Sequence, residues 1–66
     1  METVTNRLRE WRKERGLTQE EVAKAVNVSR QTIIAIEGGD YLPSVLLALK
    51  IARHFKHPVE ELFQIK

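Results

Sequence analysis

Two helix-start signals, Thr18 and Ser29, lie close together in this chain with the turn residue Asn27 between the segments they open. Thr18-Gln19-Glu20-Glu21 is a capping box: the Thr hydroxyl accepts from the amide at Glu21, and the Glu21 carboxylate reaches back to the Thr18 amide. The helix it opens starts at Gln19 and carries one apolar stripe, Val22, Ala23 and Val26, with Ala23 small enough for close helix approach. Asn27 tolerates the left-handed backbone of a tight turn, Val28 adds an apolar plug, and Ser29 caps the next helix. That helix buries Ile33 and Ile36 and stops at Gly38-Gly39. Two short capped helices with about three residues between them pack as an angled pair.

The rest of the chain reads as further short helices. Leu8 and Trp11 fall on one side of a segment from Asn6 to Arg15, with Asn6 as its cap and Gly16 as a left-handed stop. After the loop Asp40-Tyr41-Leu42-Pro43, Ser44 caps a helix from about Val45 to Phe55 that is apolar on more than one face. Pro58, followed by Glu60 and Glu61 at the positive end of the helix dipole, opens a last short helix through Phe63. Thr3-Val4-Thr5 and Phe63-Gln64-Ile65 are β-leaning and placed to pair as a small terminal ribbon. There is no internal repeat, linker or low-complexity segment. The expected architecture is all-α, a five-helix bundle forming one domain over residues 1–66.

At 66 residues with no cysteine, stability must come from close helix packing and self-association rather than disulfides. No stretch approaches the roughly 20 apolar residues of a membrane span. The start METVTNRLREW also lacks the apolar run of a signal peptide, so the expected location is the cytoplasm. No second domain for sensing a small molecule is expected. The net charge is only +2, from 11 basic and 9 acidic residues, so the distribution of charge matters more than its sum.

Sites of reaction chemistry are not indicated. His54 and His57 stand beside Glu60 and Glu61, but without cysteine or a third well-placed ligand they do not make a metal site. Glu20, Glu21, Glu60 and Glu61 all fall in first helical turns, where capping and the dipole account for them. Neither an enzyme nor a cofactor protein is expected. Trp11 suits a small core or its rim better than a stacking platform for single-stranded bases. Leu46, Leu47 and Leu49 make their helix too apolar to pack on one side only. A homodimer contact is expected there, involving Leu46 and Leu47 together with Phe63 and Ile65 of the last helix and C-terminal residues.

The stretches Leu17-Thr18-Gln19-Glu20-Glu21-Val22-Ala23, Val28-Ser29-Arg30-Gln31-Thr32-Ile33 and Ile36-Glu37 resemble the phage-repressor and Cro type of helix-turn-helix, the XRE family. Tyr41-Leu42-Pro43-Ser44, Leu49-Lys50-Ile51-Ala52 and Val59-Glu60-Glu61-Leu62-Phe63 extend the resemblance to its short single-domain regulators, over roughly residues 6 to 63. The resemblance implies a lambda-repressor-like bundle with the helix-turn-helix at about residues 18–38. Its third helix lies in the major groove of double-stranded DNA, its second crosses the backbone, and dimers read palindromic operators.

By position, Thr18 and Gln19 would meet a phosphate, and Ser29, Arg30, Gln31 and Thr32 would face the duplex. The chemistry agrees: the Arg30 fork matches guanine O6 and N7, and the Gln31 amide matches adenine N6 and N7. Ile34 and Ala35 are placed to pack on thymine methyl groups. Arg12 and Glu37 occupy positions that resemble a buried ion pair from the first helix to the end of the third. Asp40 stands where many relatives carry a phosphate-binding Lys, and Gly38 replaces a frequent Asn. Lys56 stands at a common Gly position, so either it takes a left-handed conformation at some cost or the turn differs. The expected function is a transcriptional regulator, by resemblance a repressor. The other reading is an antitoxin-like protein-interaction module with secondary DNA binding.

Overall fold

The computed structural model describes residues 2–66. The elements run β1 (Val4–Asn6), α1 (Leu8–Glu14), α2 (Gln19–Ala25), α3 (Arg30–Glu37), α4 (Val45–Phe55), α5 (Val59–Leu62) and β2 (Phe63–Ile65). The five helices are those expected, and the two termini do pair: β1 and β2 run antiparallel with Val4 opposite Ile65, Thr5 opposite Gln64 and Asn6 opposite Phe63. Phe63 therefore begins a strand instead of ending the last helix.

Local chemistry sets most of the boundaries. The capping box at Thr18 is complete, with Thr18 Oγ1 accepting from the Glu21 amide at 3.0 Å and Glu21 Oε1 accepting from the Thr18 amide at 2.8 Å. Ser29 and Ser44 accept from the amides of Thr32 and Leu47, satisfying donors that the first helical turn leaves free. Asn6 lies in β1, and Arg7 occupies the cap position of α1 with no side-chain bond of its own. The Asn6 Oδ1 nevertheless accepts from the Leu8 amide at 3.1 Å, so Asn6 caps α1 from inside the ribbon.

Chain reversals use left-handed backbone where the sequence allows it. Asn27 has φ +61° in the turn between α2 and α3, and Gly39, not Gly38, takes φ +79° after α3. Lys56 adopts φ +61° and ψ +40° at the end of α4, which resolves its two alternatives in favour of the left-handed one. Arg15 helps to hold that end: its guanidinium donates to the Phe55 carbonyl and lies 4.9 Å from the centre of the Phe55 ring.

The core is built from Leu8, Val22, Ala23, Val26, Ile33, Ile36, Leu47, Ile51, Ala52, Phe55 and Leu62. Each helix contributes, so none of these faces is stable alone. Trp11 packs at the rim, its ring 5.8 Å from Phe55 and 4.6 Å from His57. No buried side-chain polar atom among the described residues lacks a partner. No helix of the described chain is long and apolar enough to cross a membrane.

The phase of α4 corrects one expectation about self-association. Its cap at Ser44 turns Leu47, Ile51 and Phe55 inward, and Leu47 is only 8% exposed within its own subunit. Leu47 is a core residue and is not available to a partner. Val45, Leu46 and Leu49 face out, with Leu42 ahead of them; Ile65 is also exposed, while Phe63 is half-buried against the core.

Candidate nucleic-acid interface

The capped starts of α2 and α3 frame a groove of about 590 Å³ whose lining includes Arg9 of α1, Thr18, Gln19 and Glu20 at the start of α2, and Arg30, Ile34 and Glu37 of α3. Its floor is an ion pair. Arg12 Nε donates to Glu37 Oε2 at 2.6 Å and its Nη2 to Oε1 at 3.1 Å, while Nη1 donates to the Leu17 carbonyl at 3.0 Å. The side chains are 11% and 5% exposed, so the pair ties α1 to the end of α3 beneath the surface. The hydrogen bond from Glu37 raises the Arg12 pKa further above its already high value, and the guanidinium is charged at every working pH.

Gln19 joins this pair. Its Nε2 lies 3.2 Å from Glu37 Oε1, and because a carboxylate only accepts, the amide nitrogen must be the atom turned inward. Thr18 is exposed at the rim, with its hydroxyl and amide both engaged in the capping box.

The residues expected at the DNA fall into two groups. Thr18, Gln19, Arg30 and Ile34 meet in the groove. Ser29 and Gln31 are exposed at the start of α3, and Thr32 and Ala35 are half-buried. Ser29 Oγ and Thr32 Oγ1 lie 3.1 Å apart, and Thr32 turns towards a second groove shared with Tyr41 and Leu46. Arg9 also reaches the first groove, though in the sequence nothing distinguishes it from the neighbouring Arg7 and Lys13. Its place there follows from helical spacing, one turn before Arg12 on α1. Asp40 is exposed beyond α3, its amide donating to the Ala35 carbonyl at 2.9 Å.

Two capped helices joined by a left-handed turn, with the exposed start of the second beside a basic-rimmed groove, define a helix-turn-helix DNA-binding domain. Residues 8–62 match the helix-turn-helix family. The chain is similar to an uncharacterized HTH-type transcriptional regulator of Archaeoglobus fulgidus, 54% identical over 91% of this chain and 86% of the relative. It is 46% identical to the uncharacterized HTH-type transcriptional regulator YgzD of Bacillus subtilis, over 96% of each. Among solved structures it resembles the restriction-modification controller protein C.AhdI of Aeromonas hydrophila, with a TM-score of 0.78 and 33% identity over 83% of each chain. The protein belongs to the helix-turn-helix family of transcriptional regulators.

Proposed function

We propose that the protein is a homodimeric repressor of the phage-repressor and Cro type that acts in the cytoplasm on a palindromic operator. The observation that carries this reading is the exposed start of α3. Arg30 and Gln31 stand there with no protein hydrogen-bond partner among the described residues, on a helix fixed to α2 by a capped turn. Free side chains of these types on a rigid helix start are suited to reading guanine and adenine edges in the major groove. Ile34 lies on the same helix, suited to a thymine methyl group.

Two copies related by a two-fold axis would place two α3 helices about 34 Å apart, in successive major grooves. The exposed Leu42, Val45, Leu46, Leu49 and Ile65 favour such an association, since this many large apolar side chains left in water are costly. Repression is favoured by the cryptic phage transcriptional repressor RstR of Vibrio cholerae, 36% identical over 88% of this chain and 52% of that protein.

The experiment is selection of bound duplexes from a randomised DNA library at near-physiological salt. Enrichment of an inverted repeat with half-site centres about ten base pairs apart supports specific binding by a two-fold dimer. Weak, salt-sensitive binding with no enriched sequence would overturn the operator reading and favour a protein partner.

A further inference from the structure

We propose that Glu37 is a positioning residue for DNA binding: clamped by Arg12, it holds the Gln19 carboxamide in one orientation at the interface before DNA arrives. The proposal rests on the operator reading above. Glu37 is almost wholly buried, and each of its carboxylate oxygens accepts from Arg12, at 2.6 and 3.1 Å. Arg12 is held in turn by the Leu17 carbonyl at 3.0 Å. This fixed oxygen pair offers Gln19 Nε2 an acceptor at 3.2 Å, whereas Gln31 on α3 has no such partner among the described residues.

An ion pair whose only task was to join α1 to α3 would not need a third donor. Here the third donor is the side chain at the start of α2, on the rim where Arg30 and Ile34 also lie. A long polar side chain loses rotamer freedom when it makes an intermolecular contact, and holding it beforehand removes that cost from binding. Orientation matters as much: one Nε2 hydrogen is given to Glu37 and the carboxamide cannot flip, which leaves the second Nε2 hydrogen to donate to a phosphate oxygen.

The test is a double-mutant cycle on the full chain, with affinities measured on a duplex enriched from the randomised library. Gln19→Ala weakens binding about tenfold in the otherwise native protein, the effect of losing one well-placed hydrogen bond. Glu37→Gln sets an NH2 donor against one Arg12 N–H and leaves the guanidinium charge uncompensated, so the hold on Gln19 loosens and the Gln19→Ala effect falls below the native value. In Arg12→Met/Glu37→Leu, which removes both charges and leaves none buried alone, the Gln19→Ala effect falls below about twofold. An equal tenfold loss in all three backgrounds would overturn the proposal while leaving operator binding intact. Absence of any enriched duplex would overturn both.

A second measurement needs no variant. Side-chain amide relaxation by NMR on the free protein should find the Gln19 carboxamide nearly as ordered as the backbone and the Gln31 carboxamide mobile. Equal mobility of the two sinks the proposal, whether or not the double variant folds.

Discussion

Asn6 and Ile36 are joined by a hydrogen bond in which the Asn6 Nδ2 donates to the Ile36 carbonyl at 3.0 Å. The same carboxamide accepts from the Leu8 amide, so one side chain holds the start of α1 against the last turn of α3. Asn6→Ala removes both bonds at a half-buried position and should destabilise the fold by about 1–3 kcal/mol. Thermal and urea unfolding check this, and the preferred DNA sequence should not change.

Arg30 should behave differently. Arg30→Ala is expected to relax base preference at one position of each half-site and weaken binding by about 1–3 kcal/mol, with little change in the melting temperature. Repeating the library selection with the variant decides it. Uniform weakening across all sequences would make Arg30 a phosphate anchor instead of a base reader.

Lys56 and Asn27 share the left-handed region but not its cost. A Cβ-bearing Lys is strained there, whereas Asn is tolerated. Lys56→Gly should raise stability by about 0.5–1 kcal/mol after the extra unfolded-chain freedom of Gly is counted. Asn27→Gly should change stability much less. The midpoint of urea denaturation separates the two.

The Glu21 carboxyl is held below its usual pKa by the bond from the Thr18 amide first and the Thr18 side chain second. A depressed carboxyl stabilises the fold above its unfolded pKa, and the contribution fades as pH falls from there through the lower folded value. Glu21→Gln should therefore cost stability at neutral pH and flatten the acid limb of the stability profile. A series of urea melts from neutral pH to below the ordinary carboxylate range tests the sign, and an unchanged acid limb would contradict it.

Leu46 and Leu47 are neighbours with opposite assignments. Leu46, 64% exposed, should tolerate Glu in the monomer but lose dimerisation and operator affinity, read by sedimentation and DNA titration. Leu47→Ala should instead open a core cavity and cost about 2–5 kcal/mol. Dimers that persist in Leu46→Glu would move the contact elsewhere.

Elements that depend only on neighbours along the chain follow from local chemistry. Thr18 with Glu21, Ser29 and Ser44 each satisfy amides within one helical turn, so the starts of α2, α3 and α4 were readable locally. Asn27, Val22, Ala23 and Ile33 were readable on the same terms, from backbone tolerance and helical period. The Arg12–Glu37 pair was legible only through family resemblance, because nothing local joins positions so far apart.

Tertiary structure decided what depends on how the helices cross. It placed Arg9 at the groove, turned the Gln19 amide onto Glu37, gave Asn6 a partner in α3 and put Trp11 against His57. It also chose which leucines of α4 face inward. Apolar residues also stand outside the buried face of α4, and packing against the other helices decides that Leu47, Ile51 and Phe55 are the ones enclosed.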